Sequence, residues 1–131
     1  MSIDTKLALI LLVDDEKDVM AVYKMKLERV GFRVITAPDG VQAIQLATEQ
    51  HPDLILMDMK MPVMDGTTAQ AKLKENPATK DIKVVFLTAF SDPTNPDLDI
   101  KMAKDVGAID FIKKGINLDE LIAKVRSYLE K

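Results

Sequence analysis

Two short apolar stretches of this sequence each end directly on aspartate. The run Leu7–Val13 is followed by Asp14 and Asp15. The run Leu54–Met57 is followed by Asp58. An unbroken apolar run of this length is typical of a strand that is buried on both faces of a parallel sheet. Because open parallel sheets bind ligands at the carboxyl ends of their strands, the three acids are expected to converge at one edge.

Strand-like runs alternate with segments of helical periodicity along the chain, and Gly, Pro and capping residues separate them. Two helices are predicted to begin at the cap pairs Asp39 with Gln42 and Asn117 with Glu120. In the second helix the residues expected to face the core are Val41, Ile44 and either Leu46 or Ala47. The pattern predicts strands at 7–13, 32–37, 53–58, 82–88 and 108–112, and helices at 16–30, 40–49, 66–75, 96–106 and 118–129. This alternation favours an α/β fold. We expect a flavodoxin-like (βα)5 three-layer sandwich whose parallel sheet has the strand order 2-1-3-4-5. No linker interrupts the pattern, so residues 1–131 are interpreted as a single domain without an output domain.

Composition excludes several classes of protein. The 131 residues carry a net charge of −3 and 47% of them are hydrophobic, which is the profile of a folded globular domain. The sequence has no cysteine, which rules out disulfides and thiolate metal sites. It shows no basic cluster of the kind that binds nucleic acid and no apolar run long enough to span a membrane. We therefore expect a cytoplasmic protein that neither binds nucleic acid directly nor inserts into membranes.

Three carboxylates at one point repel each other and therefore require a cation. Oxygen ligands in a partly hydrated site favour Mg²⁺ or a similar hard ion. A plainer alternative is that the aspartates only cap the following helices, because Asp is a good N-cap residue. Thr88, Lys113 and Lys114 fall at strand ends on the same edge. Each is ordinary when taken alone, but carboxylates, a hydroxyl and an ammonium are together the groups needed to accept a phosphoryl group.

Four segments of the sequence match one known family in order and spacing. They are Leu11–Glu16 (LLVDDE), Asp58–Gly66 (DMKMPVMDG), Thr88-Ala89 and Gly107–Lys114 (GAIDFIKK). On these segments the chain resembles the receiver domains of two-component response regulators over essentially its whole length. The resemblance implies a signalling protein rather than an enzyme. It would receive a phosphoryl group from a sensor histidine kinase or a phosphotransfer protein in a phosphorelay.

The resemblance also implies roles for individual residues. Asp58 would be phosphorylated, Thr88 and Lys114 would assist, and Thr88 and Phe111 would act as the switch pair. Mg²⁺, with Mn²⁺ as an alternative, would be bound by Asp14, Asp15, Asp58 and the backbone carbonyl of Lys60. Phosphorylation would then alter the face formed by the fourth helix, the fifth strand and the fifth helix, where a downstream effector protein would bind.

The sequence departs from the family pattern directly after the fifth strand and in the loop after the fourth strand. Counting from Phe111 places the family's lysine at Lys114, with Lys113 as the alternative if the alignment slips by one residue. Side chains alternate along a strand, so the two lysines should point to opposite sides. Gly115 replaces the proline that usually follows a cis peptide bond, and we expect that the cis bond is not retained. The loop Phe90–Asp97 is several residues longer than the family usually has.

Two other functions fit parts of the pattern. A Mg²⁺-dependent phosphatase of the haloacid dehalogenase type also uses an aspartate nucleophile, but it would need a second acid where this chain has Lys60. A flavodoxin-like cofactor binder would need a loop rich in hydroxyl groups and glycine after the first strand. That loop is instead the acidic segment Asp14–Asp18, which would repel a phosphate without a metal. The site residues therefore favour the receiver domain.

Overall fold

A computed structural model describes residues 8–88, 101 and 105–130. Strands β1–β5 occupy Leu9–Val13, Arg33–Ala37, Leu54–Asp58, Lys83–Thr88 and Asp110–Lys113. Helices α1–α3 occupy Lys17–Arg29, Gly40–Gln50 and Gly66–Glu75, and a further helix, which we name the final helix, occupies Leu118–Leu129. Leu7, the loop Phe90–Asp97 and most of the helix predicted at 96–106 lie outside the described residues. Within the described part of the chain, no helix has the length and apolar character needed to cross a membrane.

The five strands form one parallel sheet in the order β2-β1-β3-β4-β5, which confirms the predicted order. β1 lies between β2 and β3, with Val13 opposite both Ala37 and Met57. The chain therefore winds in one direction from β1 to β2 and in the other direction from β1 to β3. This reversal places the ligand-binding crevice of the sheet at the carboxyl ends of β1 and β3.

Each central strand supplies both layers of the core, because successive side chains point to opposite faces of the sheet. On one face, Leu12 and Leu56 pack with residues of α1 and the final helix. On the other face, Val13 and Met57 pack with residues of α2 and α3. All four side chains are completely buried, and burial of each stabilises the fold by about 1.5–3 kcal/mol. The predicted three-layer sandwich is thus confirmed.

Two predictions about local structure were wrong. β5 was expected at 108–112 but runs over Asp110–Lys113, because the chain turns at Val106 and Gly107, where Gly107 has φ 86°, and bends at Ile109 before the strand begins. Val41 was expected to face the core but is 46% exposed. Ala47, one of the residues expected to face inward, is buried together with Ala43, and these small side chains allow α2 to lie close to the sheet.

Two helices begin at the caps that the sequence predicted. The Asp39 side chain accepts a hydrogen bond of 2.9 Å from the backbone N–H of Gln42, and the amide of Gln42 donates back to the Asp39 carboxylate at 3.4 Å. Asn117 accepts hydrogen bonds from the first two backbone N–H groups after Leu118. These bonds satisfy donors that the first turn of a helix leaves unpaired.

Candidate functional site

Asp14 directly follows β1 and is completely buried. Its backbone N–H donates to the carbonyl oxygen of Ala37, which continues the pairing of β1 with β2 beyond the strand. The carboxylate oxygen Oδ1 accepts a hydrogen bond of 2.9 Å from the backbone N–H of Glu16. The other oxygen, Oδ2, lies 2.9 Å from Nζ of Lys114 but has no partner in hydrogen-bond geometry. One oxygen of this buried carboxylate is therefore held by charge attraction alone.

Asp58 is the last residue of β3 and is only 6% exposed. Its Oδ1 accepts a hydrogen bond of 3.2 Å from the backbone N–H of Lys60, and its Oδ2 accepts one of 2.9 Å from Nζ of Lys114. The loop after the strand approaches it closely, because a Cβ on Gly66 would lie 2.3 Å from the Asp58 carbonyl oxygen. Only glycine allows this approach, so Gly66 fixes the loop beside the carboxylate.

Lys114 follows β5, and its backbone N–H donates to the carbonyl oxygen of Thr88 at 2.8 Å. Its ammonium nitrogen lies 2.9 Å from an oxygen of each of three acids, namely Asp14, Glu16 and Asp58. Lys113, by contrast, has an exposed side chain. The structure thus brings Lys114 to the acids, and the Lys114-Gly115 peptide bond is trans.

These contacts shift the pKa values of two groups in the site. Burial raises the pKa of Asp58; the hydrogen bond from Lys114 opposes this shift, the charge of Asp14 adds to it, and the net change is upward. Burial alone would lower the pKa of Lys114, but its contacts with Glu16, Asp58 and Asp14 outweigh burial and raise that pKa. The lysine therefore stays charged, while ionisation of Asp58 is less favourable than that of an exposed aspartate.

A cleft of about 210 Å³ opens beside these charged groups. Its lining includes Asp15, Lys60 and Thr88 as well as Asp58 and Lys114. Asp15 is exposed, whereas Thr88 is 3% exposed at the end of β4. Since a water molecule occupies roughly 30 Å³ of liquid, the cleft has room for a hydrated cation or a phosphoryl group.

Phe111 lies away from the lining of this cleft. It is on β5, opposite Phe86 of β4, and its half-buried side chain packs against the core cluster on the α2 and α3 face. The predicted site residues therefore fall into three groups. Asp14, Asp58 and Lys114 are in contact, Asp15, Lys60 and Thr88 line the cleft, and Phe111 lies on the neighbouring strand.

Glu16 is a member of the cluster that the sequence reasoning missed. One carboxylate oxygen from each of Asp14, Glu16 and Asp58 lies within 4.8 Å of the others, an arrangement that could hold a metal ion. Asp15, and not Glu16, was predicted from the sequence as a metal ligand beside Asp14 and Asp58. Glu16 was overlooked because reasoning from strand ends stops at the residues next to the strand. A donor set made only of carboxylate oxygens suits a hard cation such as Mg²⁺.

The residues that form this site also lie within a match to a known protein family. Residues 10–126 match the model of the response regulator receiver domain. The chain belongs to this family. The match spans all five strands and the acidic cluster, so it covers the fold and the site together.

Known proteins similar to this receiver domain include transcriptional regulators. The transcriptional regulatory protein PrrA of Mycobacterium tuberculosis is 37% identical over 123 residues, which are 93% of this chain and 50% of that protein. The chain therefore spans about half the length of this curated relative.

Solved structures of receiver domains share the same fold. The chemotaxis protein CheY4 of Vibrio cholerae has a TM-score of 0.84 at 27% identity, covering 93% of this chain and 98% of that one. The receiver domain of the sensor histidine kinase PA1611 of Pseudomonas aeruginosa has a TM-score of 0.85 at 27% identity, covering 95% and 99%. That structure has a magnesium ion coordinated in the active site cleft.

Family membership establishes the general role of the chain. It is a receiver domain of the two-component response regulator type, a signalling domain that is generally not classed as an enzyme. Receiver domains interact with histidine kinases or phosphotransfer proteins. They bind Mg²⁺ at an acidic pocket, and the cluster of Asp14, Glu16 and Asp58 fits such a cation.

Proposed function

We propose that this receiver domain is a phosphoacceptor switch in which Asp58 takes a phosphoryl group from a phosphohistidine. The bond between phosphorus and the histidine nitrogen breaks, and a bond between phosphorus and an Asp58 carboxylate oxygen forms. The phosphohistidine ring, already protonated on its other nitrogen, leaves as a neutral imidazole. The observation that carries this proposal is the placement of Asp58. Its carboxylate lines the cleft, and its two oxygens are held by separate donors, the Lys60 N–H and the Lys114 ammonium.

The acids around Asp58 are suited to hold the divalent cation. We assign this role to Asp14, Asp15, Asp58 and the backbone carbonyl of Lys60, with Mn²⁺ able to replace Mg²⁺. When bound, the cation supplies positive charge that neutralises the carboxylates and the phosphoryl oxygens. Burial raises the pKa of Asp58, and a cation beside this carboxylate would offset that shift by favouring the ionised form, which supports this assignment.

Thr88 at the end of β4 and Lys114 directly after β5 would respond to the new phosphoryl group. The ammonium of Lys114 is close enough to pair with a phosphoryl oxygen, and the hydroxyl of Thr88 would donate to another. Movement of Thr88 would free space behind it, into which Phe111 could rotate. The response would thus reach β5 and the final helix.

The effector surface is proposed to include a groove of about 470 Å³ between β5 and the final helix. Its lining includes the apolar side chains Phe111 and Ile116 and the charged side chains Lys113, Glu120 and Lys124. A downstream protein with an apolar and mainly acidic surface would fit this combination. The chain spans about half the length of the PrrA proteins that it matches, and we propose residues 1–131 as the phosphoacceptor unit.

Incubation with phosphoramidate tests the proposed function, because this small donor also carries a bond between phosphorus and nitrogen. We expect intact-mass spectrometry to show one phosphoryl group per chain in the presence of Mg²⁺ and none after addition of a chelator. Asp58→Asn should take up none, whereas Asp53→Asn, a control at the opposite end of β3, should still react. An adduct that persists in Asp58→Asn would contradict the assignment. Release of inorganic phosphate from varied phosphate esters would instead favour a phosphatase.

A further inference from the structure

Glu16 makes a contact that its position in the helix does not require. It is the N-cap residue of α1, with φ −87° and ψ 104°. The side chain at this position usually accepts a hydrogen bond from the first turn of the helix, but that of Glu16 accepts none. Its carboxylate instead accepts a hydrogen bond of 2.9 Å from the ammonium of Lys114, 98 residues further along the chain.

Asp14 fixes the backbone of Glu16 at the edge of the site. The backbone N–H of Glu16 donates to Asp14 Oδ1. This hydrogen bond fixes the position of the Glu16 backbone relative to the Asp14 carboxylate. Their side chains differ strongly in exposure, since that of Glu16 is 57% exposed and that of Asp14 is 0% exposed. Of the three carboxylates around Lys114, Glu16 is therefore the one that can move toward solvent at the smallest cost.

A divalent cation would compete with the Lys114 ammonium for the buried acids. Oδ2 of Asp14 and Oδ2 of Asp58 each lie 2.9 Å from Nζ, and both carboxylates belong to the set proposed to hold the cation. Because two positive charges repel each other, the ammonium must give up at least part of these contacts when the cation binds. Glu16 then remains as a partner that can follow the lysine outward.

We propose that Glu16 is a positioning residue that retains the Lys114 ammonium at the rim of the cleft when a cation occupies the buried acids. The ammonium is then in place to neutralise the incoming phosphoryl group. This inference rests on the proposed function, since it assigns Glu16 to the same phosphoryl transfer. Because Glu16 is more than half exposed, its effect is expected to be several-fold rather than many orders of magnitude.

A double-mutant cycle tests this role with the variants Glu16→Gln, Lys114→Ala and their combination. At saturating Mg²⁺, Glu16→Gln should lower the rate constant for phosphorylation by phosphoramidate about three- to fivefold. The same change should have no effect in the Lys114→Ala background, because Glu16 acts through Lys114. Asp18→Asn is the matched control, since it removes an equal charge from the exposed first turn of α1 and should react at the wild-type rate.

A second measurement observes the lysine directly. In ¹⁵N NMR of the Mg²⁺-bound protein, the Lys114 ammonium should give a signal protected from solvent exchange in the wild type, and Glu16→Gln should weaken that signal. Wild-type rate and an unchanged signal in Glu16→Gln would overturn the inference.

A metal-ligand role for Glu16 would give a different result, which would also overturn the inference. Glu16→Gln would then weaken Mg²⁺ binding tenfold or more, the rate would recover with excess Mg²⁺, and the effect would persist in Lys114→Ala. If wild-type Asp58 takes no phosphoryl group at all, the proposed function fails. The ammonium signal in Mg²⁺ still decides whether Glu16 holds the lysine in that case.

Discussion

At the scale of single residues, the register of β5 decides which lysine meets the acids. A shift of one position would exchange the faces of Lys113 and Lys114. The spacing from Phe111 had favoured Lys114, and the structure places its ammonium among the three carboxylates while Lys113 is exposed. The contribution of Lys114 to switching remains a prediction.

Removal of Lys114 should destabilise the metal-free fold. Lys114→Ala leaves Asp14 and Asp58 buried without their cation, and we expect the free energy of unfolding to fall by about 1–3 kcal/mol. Lys113→Ala should change it by less than about 0.5 kcal/mol. Urea denaturation with a chelator present measures both values. The response to a phosphoryl mimic should likewise be impaired in Lys114→Ala and nearly normal in Lys113→Ala, and the reverse ranking would contradict the prediction.

Asp15 should matter more to metal binding than Asp14. Asp15 is exposed and lines the cleft, so its oxygens are available, whereas Asp14 is already held by the Glu16 N–H and Lys114. We expect Asp15→Ala to weaken Mg²⁺ binding more than Asp14→Ala in a calorimetric titration. Without metal, Asp15→Ala should not lower the free energy of unfolding, because it removes a repelling charge. Equal Mg²⁺ affinity in the wild type and Asp15→Ala would show that Asp15 is not a ligand.

Much of the charged cluster could be predicted because its members sit next to strand ends. The positions of Asp14, Asp58 and Lys114 follow from the strand pattern and the sheet order. Glu16 could not be found in this way, because it reaches the cluster with a long side chain from a helix N-cap. Strand alternation says nothing about the direction of such a side chain.

At the scale of elements, the existence of strands was easier to predict than their limits. The fully buried strands β1 and β3 are continuous apolar runs, so the hydrophobic pattern marks them clearly. β5 lies at the edge of the sheet with a half-buried pattern, and there the turn at Val106 and Gly107 determines where the strand begins. The inward face of α2 was misjudged at Val41 because small alanines, rather than larger residues, pack against the sheet.

Asp65 provides a test of an individual helix start. Its carboxylate accepts a hydrogen bond of 2.8 Å from the backbone N–H of Thr68, and this bond lowers the pKa of Asp65 from its ordinary value of 3.8. We expect Asp65→Ala to lower the free energy of unfolding by about 1 kcal/mol at neutral pH. Asp65→Asn should lose less, because asparagine also caps helices.

The pH dependence of this loss has a definite sign. A lowered pKa means that the folded state binds the Asp65 proton less tightly than the unfolded state. The stabilisation by Asp65 is therefore complete above pH 3.8 and disappears as the pH falls through the lower pKa of the folded state. Urea denaturation at a series of pH values should show the difference between the wild type and Asp65→Ala narrowing in acid. A difference that widens in acid would exclude this explanation.

At the scale of the whole molecule, the sheet connects the proposed phosphorylation site to the proposed effector surface. Asp58 lies opposite Leu87 of β4, and Phe86 and Thr88 of the same strand lie opposite residues of β5. A displacement of Thr88 can therefore reach Phe111 through one strand. The half-buried position of Phe111 is compatible with inward and outward states that are both populated before phosphorylation.

Phosphorylation should shift this equilibrium rather than create a new state. We expect amide hydrogen exchange, measured with and without Mg²⁺ and a phosphoryl mimic, to change at 105–113 and in the final helix as well as near Asp58. The loop Phe90–Asp97, which lies outside the described residues, is predicted to respond too. Asp58→Asn is the control that should show no change. Effects confined to the loop after Asp58 would argue against this coupling.

The separation of the site residues along the chain has a consequence for biosynthesis. The contacts of Lys114 with Asp58 and Glu16 span 56 and 98 residues, and contacts between such distant residues are slow to form because long loops must close first. A chain that has folded only through β4 would present Asp14 and Asp58 without their lysine. Under the proposed function, chains still on the ribosome that lack Lys114 would therefore also lack the ammonium that is proposed to neutralise the phosphoryl group.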